Sequence, residues 1–269
     1  MGTAEEDGVT VELMVDFRCA ACIPPVKSAL SAIPGVTSVD VELELQRVVV
    51  QGTASTASLL AAAETTGRTA RLVGHGQGDS SGFAAVAKRF GCSLAVLQES
   101  LAAVAEFKGA SSGHGELMGV VRLVQGTPER CQVEAYLDGL TPGAHTLAVH
   151  SLGDLRDGIR TAGSIYTAEV GDDGASPAGH LGTLVADEAG HAELRTRCSD
   201  RLKVWDIIGR TVAVHDVPGA KGGDEGAAAV VARSSSVGLN YKTVCSCDGT
   251  VLWETRPPEL VNAKTGGSA

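Results

Sequence analysis

The sequence is poor in aromatic residues, with only 2 Trp, 3 Tyr and 4 Phe among 269 residues. Its cores must therefore be built mainly from Val, Leu, Ala and Ile, and a hydrophobic fraction of 43% is enough for that. No run approaches the roughly 18 apolar residues that a membrane-spanning helix needs. Basic residues are also in deficit, because 22 Lys and Arg stand against 32 Asp and Glu, for a net charge of −10. We therefore expect a folded chain without membrane insertion and without a nucleic-acid partner.

The sequence also lacks the basic-then-apolar pattern of a signal peptide, since it begins with the acidic stretch MGTAEED. Seven cysteines are an odd number and too sparse for a disulfide scaffold, so thiols or metal ligands are expected instead. These features favour a cytoplasmic protein. A plastid location is the alternative, if a transit peptide is missing from this sequence.

Residues 1–76 predict a small α+β domain. Pro24 and Pro25 fall in the first turn of a predicted helix, where missing N–H groups cost least. The β-α-β-β-α-β order is the ferredoxin-like arrangement. The predicted elements are a strand (9–17), a helix (22–33), two strands (36–50), a helix (58–66) and a strand (69–73).

The rest of the chain divides into three predicted parts. Residues 77–115 are expected to be a linker with an amphipathic helix, because apolar residues recur every three or four positions from Phe90 to Phe107. Short strands separated by glycine turns over residues 116–240 predict an all-β sandwich or small barrel. Residues 241–269 are expected to be a short flexible tail.

The first of two cysteine pairs is Cys19-Ala-Ala-Cys22, between a predicted strand and the start of a helix. Backbone N–H groups and the helix dipole lower thiol pKa values at such a position. Two thiolates without a third ligand suit a soft ion of low coordination number, and Cu(I) fits best. A redox dithiol and half of a zinc site are the alternatives.

The second pair is Cys245-Ser246-Cys247. On an extended backbone this spacing places both sulfur atoms on the same side, where a disulfide would be strained. The pair therefore favours metal binding or exchange with an external thiol. One zinc site shared by both pairs is a further alternative. The remaining cysteines are isolated in the sequence and are predicted to be buried core residues: Cys92, Cys131 and Cys198.

Taken in order, these parts resemble the family of copper chaperones for superoxide dismutase, most closely its plant form. The CxxC segment resembles a heavy-metal-associated domain. GLTPGAHTLAVHSLGD (139–154) and KVWDIIGRTVAVH (203–215) resemble a Cu/Zn superoxide dismutase. CSCDGTVLWE (245–254) matches the C-terminal part of the family, and LAAVAEFKG (101–109) its interdomain segment in plants.

The resemblance implies a function as well as a fold, with a Greek-key sandwich or barrel over 116–240. Cys19 and Cys22 would capture Cu(I), and Cys245 and Cys247 would pass it to a Cu/Zn superoxide dismutase and aid its disulfide formation. The middle domain would dock that enzyme, and whether the chain also forms a homodimer is left open. The chain would be a metallochaperone and not an enzyme.

Several residues depart from the family pattern at positions where a dismutase binds its metal ions. Ala148 and Ile165 stand where the dismutase family has a copper-binding and a zinc-binding histidine, so a resident zinc is not expected. His150 and His215 remain at copper-ligand positions and are interpreted as structural, as is His145 on the opposite face of its strand. The alternatives are an active dismutase with an extra metal-binding domain and a copper-buffering or redox-sensing thiol protein.

Two more departures concern cysteine and methionine positions. The positions of the family's internal disulfide read Ile159 and about Ala228, so that bridge cannot form. Phe17 replaces the methionine that commonly precedes the CxxC loop, and we expect its ring to fill the space beneath the loop. Met14, three residues earlier, cannot substitute for that methionine.

Overall fold

A computed structural model of the chain describes residues 8–76, 81–168, 177–198, 200–217, 220 and 226–235. The predicted tail, including Cys245 and Cys247, lies outside the described residues. Those residues form two compact units, one comprising Val11–Val73 and the other running on from Gly74, together with residues 8–10. The bounds of the four predicted parts of the chain stay predictions.

The first unit carries the predicted ferredoxin-like order, which is confirmed. The strands lie in the order β2-β3-β1-β4, so β1 is an inner strand, and all seven of its residues are buried. Val26 and Leu30, one turn apart, are the buried residues of α1. The elements are β1 (Val9–Val15), α1 (Ile23–Ser31), β2 (Val36–Glu42), β3 (Arg47–Gly52), α2 (Thr56–Thr65) and β4 (Ala70–Gly76).

The second unit begins with two short helices and continues as strands in two sheets. One sheet has the order β10-β7-β6-β5-β13 and the other the order β12-β11-β8-β9. Its elements are α3 (Ala84–Arg89), α4 (Leu94–Gln98), β5 (Ala102–Lys108), β6 (Met118–Thr127), β7 (Arg130–Asp138), β8 (Gly143–His150), β9 (His180–Ala186), β10 (Ala192–Arg197), α5 (Val204–Ile207), β11 (Thr211–His215), β12 (Gly226–Val230) and β13 (Ala232–Arg233).

The two sheets of the second unit enclose one apolar core. Alternate residues of each strand enter it, such as Val121 and Leu123 from one sheet and Val212 and Val214 from the other. Strand β10 returns to the first sheet beside β7, as Greek-key connections do. The predicted sandwich is confirmed, and within the described residues no strand pairing closes it into a barrel.

The amphipathic helix predicted over residues 90–107 is wrong. The helical part ends at Gln98, and Ala102–Lys108 is strand β5, which pairs with β6 from Ala102 opposite Val124 to Lys108 opposite Met118. Ala103, Ala105 and Phe107 alternate into the sandwich core, so burial by strand pairing overrides the helical spacing of the apolar residues. The predicted linker thus contributes a strand to the sheet.

A break separates α3 from α4 in the same region. Gly91 adopts a left-handed φ of 64°, which ends α3, and the Ser93 side chain caps the first turn of α4. Of the segment predicted as one helix, only α4 is helical, and α3 lies before that segment. Within the described ranges, no helix has both the length and the apolar character needed to cross a bilayer.

Candidate metal centre

Cys19 and Cys22 lie in the loop between β1 and α1. A short 3-10 turn, Ala20–Cys22, brings the two Sγ atoms to 3.7 Å from each other. The amide of Cys22 donates to the carbonyl oxygen of Cys19 at 3.0 Å, which fixes the turn. Because 3.7 Å is less than twice a metal–thiolate distance of about 2.3 Å, both sulfur atoms can bind one ion.

The two sulfur atoms differ in their surroundings. Cys19 is exposed, whereas Cys22 is buried at the N-cap position of α1, ahead of the two prolines in its first turn. Backbone hydrogen bonds from Cys19 and Arg18 to the Cys22 sulfur lower the pKa of this thiol, and the positive charge of Arg68 acts in the same direction against the effect of burial. The thiolate form that binds a soft ion is therefore favoured at Cys22.

Phe17, which precedes this loop, is buried, while the expectation that its ring fills the space beneath the loop stays a prediction. Its side chain is 4% exposed, and the Nε2 atom of Gln46 donates to its carbonyl oxygen at 3.0 Å. Gln46 itself has a left-handed φ of 53° and accepts a backbone hydrogen bond from Val15. Gln46 thus holds the end of β1 in place, and the sequence carries no pattern that identifies this role.

The described residues contain no group of three or more His, Cys, Asp or Glu side chains arranged to hold a metal ion. The Cys19–Cys22 pair is consequently a two-sulfur site in this part of the chain. Sulfur ligands of this kind suit a soft metal ion.

The histidines of the second unit are held by backbone carbonyls and by each other. His150 donates from Nδ1 to the carbonyl oxygen of Gly163 at 2.8 Å, and its Nε2 lies 3.2 Å from Nε2 of His215. His145 places Nδ1 3.1 Å from the carbonyl oxygen of His215 and Nε2 2.8 Å from that of Thr141. These contacts are those of histidines that support the sandwich.

Comparison with known proteins assigns a family to each unit. Residues 12–69 match the heavy-metal-associated domain, and residues 117–233 match copper/zinc superoxide dismutase. The copper chaperone for superoxide dismutase of Arabidopsis thaliana, named as chloroplastic/cytosolic, is 40% identical over 255 residues, which cover 94% of this chain and 72% of the relative. The chain belongs to the family of copper chaperones for superoxide dismutase.

Other members of the family align over a similar length. The chloroplastic copper chaperone for superoxide dismutase of Oryza sativa is 38% identical over 247 residues, covering 91% of this chain and 70% of that protein. The corresponding protein of Homo sapiens is 34% identical over 265 residues, covering 92% of this chain and 89% of its own length. The resemblance read from the motifs is thereby confirmed.

The structure of the dismutase-like unit describes each position at which the sequence of this copper chaperone departs from the dismutase pattern. Ala148 is fully buried, and Ile165 forms an isolated bridge with His150. Ile159 and Ala228, at the places of the family's internal disulfide, pack in one apolar cluster. An apolar contact therefore stands where the dismutase pattern has sulfur.

The chaperone also has a pair of cysteines that the sequence analysis treated as isolated. Cys131 in β7 and Cys198, just after β10, are cross-strand neighbours, and the amide of Cys198 donates to the carbonyl oxygen of Cys131 at 2.9 Å. The prediction of burial is confirmed for Cys131, which is fully buried, while Cys198 and Cys92 are half-buried. Their proximity depends on the register of β7 and β10, which the sequence alone does not specify.

Proposed function

We propose that this chain is a copper chaperone that receives Cu(I) on Cys19 and Cys22 and delivers copper to a Cu/Zn superoxide dismutase. The observation that carries the proposal is the pair of sulfur atoms 3.7 Å apart at the start of α1, in a chain of the chaperone family. Copper is the cargo here and not a resident cofactor. The exposed Cys19 is placed to meet an incoming donor thiolate, and the buried Cys22 to retain the ion.

The oxidation state of the cargo follows from the ligands. Cysteine sulfur is a soft donor, and Cu(I) accepts two such donors without further ligands. An incoming thiolate can then bind the ion before an old one leaves. A resident zinc is not proposed, because the zinc-ligand position of the dismutase family is Ile165 in this chain.

Delivery is proposed to use the tail pair, Cys245 and Cys247. In its reduced form the pair takes Cu(I) from the first site by thiolate exchange and carries it to the target. A low-molecular-weight disulfide oxidises the tail pair by taking two electrons from it. A target thiolate then attacks the resulting tail disulfide and opens it to a mixed disulfide. A second target thiol then displaces the tail, which leaves the target oxidised and the tail reduced.

Docking of the target is proposed to involve the loop that carries Leu152 in the dismutase-like unit. The Leu152 side chain is 53% exposed, although its amide donates to the carbonyl oxygen of Ala162 at 2.8 Å. Arg210 and Thr211 donate to the carbonyl oxygens of Ser151 and Leu152. An apolar side chain fixed in an exposed position is typical of an interaction surface. A second copy of this chain is the other proposed occupant.

The docking proposal is tested with Leu152→Glu, with Val185→Glu as the matched control, since Val185 is an exposed aliphatic residue of the same unit. We expect Leu152→Glu to weaken binding to a copper-free dismutase by about tenfold or more, because a charge would be buried without a partner. Binding is measured by surface-immobilised titration and self-association by size exclusion. Equal affinities for the two variants would contradict this placement of the docking surface.

The proposed function is tested by mixing the copper-loaded chain with a reduced, copper-free dismutase. We expect the dismutase to gain copper from the reduced, Cu(I)-loaded chain, and to gain its disulfide only when a low-molecular-weight disulfide such as oxidised glutathione is added to oxidise the tail pair. The variant in which Cys245 and Cys247 are changed to Ser should transfer neither, whereas Cys92→Ser should transfer both. Retained maturation with the tail variant would remove the tail from the mechanism.

The chain itself is a metallochaperone and not an enzyme. Its dismutase-like unit has Ala148 and Ile165 where a redox copper–zinc site needs imidazoles. Loading the protein with copper and zinc and assaying superoxide removal distinguishes this function from that of a dismutase with an added domain. A buffering or redox-sensing role predicts that no dismutase is bound.

We propose the cytoplasm as the site of this function, with a plastid as the alternative. Five of the cysteines are free thiols in the described residues, which suits a reducing compartment. The plant relatives are named as chloroplastic or as chloroplastic and cytosolic. Imaging of a tagged full-length protein in its source cell distinguishes the two.

A further inference from the structure

Cys131 and Cys198 face each other across two paired strands and take no part in the function proposed above. Strand β10 pairs with β7 through Arg197 opposite Gln132, and the next step of this register places Cys198 opposite Cys131. Because residues directly opposite each other on antiparallel strands project to the same face of the sheet, the two side chains are neighbours on the core face. Both cysteines are free thiols in the structure.

The surroundings of the two thiols are unequal. Cys131 is fully buried on the core face of β7, next in line to Val133, whereas Cys198 is half-buried and packs against the same core. The neighbouring Cys198 thiol, together with burial, raises the pKa of the Cys131 thiol well above its ordinary range, although the charge of Lys203 opposes this. One thiol is thus open to reagents and the other is shielded.

These surroundings favour a disulfide over a bound metal ion. A metal site needs both sulfur atoms as thiolates, and burial in an apolar core opposes a permanent negative charge. A disulfide is neutral and apolar, and only one thiolate exists at any step of its formation. The core position of Cys131 therefore suits the oxidised pair.

The backbone geometry also permits a disulfide. Residues joined by hydrogen bonds across antiparallel strands have Cα atoms about 5.5 Å apart. Disulfides span Cα distances of about 4.4–6.8 Å. Cys198 lies one residue beyond the end of β10, which is an edge strand of its sheet among the described strands.

We propose that Cys131 and Cys198 form a reversible intramolecular disulfide by exchange with a low-molecular-weight disulfide. The Cys198 thiolate attacks the external disulfide, a mixed disulfide forms, and one external thiolate leaves and takes up a proton. Cys131 then gives up its proton, its sulfur attacks Sγ of Cys198, and the second external thiol is released. The protein pair loses two electrons and the external disulfide gains them.

The new bond would tie an edge strand of the dismutase-like unit to its neighbour. The positions of the family's internal disulfide are occupied by Ile159 and Ala228 here, so the unit lacks that constraint. A bond between Cys131 and Cys198 would supply a covalent link at a different place in the sandwich. It depends on the thiol–disulfide balance around the protein and not on copper.

The experiment titrates the full-length, copper-free protein with mixtures of oxidised and reduced glutathione. The samples are quenched in acid, denatured, alkylated and mapped by peptide mass spectrometry. We expect a linked peptide containing Cys131 and Cys198, with loss of two alkylated thiols that dithiothreitol restores. Cys92 provides the control within the same chain, since it has no cysteine neighbour among the described residues and should give no intramolecular link.

Two variants separate the steps. Cys131→Ser should leave Cys198 as a glutathione adduct, and Cys198→Ser should leave Cys131 unmodified because no reagent reaches it. Circular dichroism establishes that each variant is folded, and Cys131→Ala replaces Cys131→Ser if the hydroxyl unfolds the core. The proposal is overturned if the wild-type pair remains as two thiols at every glutathione ratio, or if either cysteine links to a different partner.

Discussion

At the scale of single residues, Cys19 and Cys22 have different exposure and therefore different tasks. The exposed Cys19 can contact the thiol of a donor or an acceptor without any opening of the fold. Cys22 is held at the start of α1, where backbone hydrogen bonds stabilise its thiolate. Transfer from such a pair begins most readily at the exposed sulfur, because a third thiolate can approach only from that side.

The lowered pKa of Cys22 predicts how copper binding depends on pH. Protons compete with Cu(I) for the sulfur, so affinity should hold above the pKa of Cys22, which lies below the ordinary 9.0, and decline as the pH falls through it. Arg68→Gln removes a charge that lowers this pKa and should therefore move the decline to higher pH. Competition with a chromophoric cuprous chelator measures the profile.

The matched control for this series is Arg71→Gln, which makes the same charge change in β4. The Arg71 guanidinium lies 3.6 Å from the Glu64 carboxylate and does not contribute to the pKa shift of Cys22. All measurements use the variant in which Cys245 and Cys247 are changed to Ser, so that the measured copper binding comes from Cys19 and Cys22 alone. Identical profiles for the two arginine variants would show that Arg68 does not act on Cys22.

At the same scale, the sequence predicts part of the site. The closeness of Cys19 and Cys22 follows from local geometry, since a spacing of three residues at a helix start converges. Gln46 and Arg68 contribute through the tertiary fold, and the pairing of Cys131 with Cys198 depends on strand register. None of these three contributions has a local pattern in the sequence.

At the scale of elements, β5 shows why pattern reading failed in one segment. Residues 94–107 contain apolar positions that fit both a helical repeat and, from Ala103 onward, an alternating one. Only pairing with β6 decides between the two structures, and the paired residues are distant from each other in the sequence. The βαββαβ order of the first unit was predictable because each of its elements is bounded by local turn and capping residues.

The loop at Leu152 depends on a close approach of two backbone segments. A Cβ atom added at Gly153 would overlap the carbonyl oxygen of Gly209. Gly153→Ala should therefore destabilise the dismutase-like unit by about 1–3 kcal/mol, because both contacting groups are backbone and cannot move independently. The shift of the urea midpoint, followed by tryptophan fluorescence, measures the effect.

Gly82→Ala is the control, since its added Cβ would lie at an ordinary 3.5 Å from Pro128. We expect this variant to change stability by less than about 0.5 kcal/mol. If Gly153→Ala shifted the urea midpoint as little as Gly82→Ala does, the loop would adapt to the added methyl group without loss of stability. The docking surface at Leu152 would then not be rigid.

At the scale of the whole molecule, the proposed function assigns the capture of copper and its delivery to different cysteine pairs. The first unit carries one dithiol, and the tail, outside the described residues, carries the second. If the first pair serves capture, its importance must depend on how much free Cu(I) is present. When the ion is abundant, mass action loads the tail pair directly and the first pair adds little.

This separation predicts a copper-dependent phenotype. With Cys19 and Cys22 changed to Ser, maturation of a dismutase should fall severalfold when Cu(I) is held below the affinity of the tail by a competing chelator, and should approach wild type when Cu(I) is saturating. The variant with Cys245 and Cys247 changed to Ser should fail at both levels, because no step replaces transfer by the tail. The measurement is dismutase activity gained per chaperone across a series of buffered Cu(I) concentrations. Equal loss for the Cys19/Cys22 variant at every concentration would mean that the first pair acts in transfer itself, and equal maturation at every concentration would mean that it captures no copper.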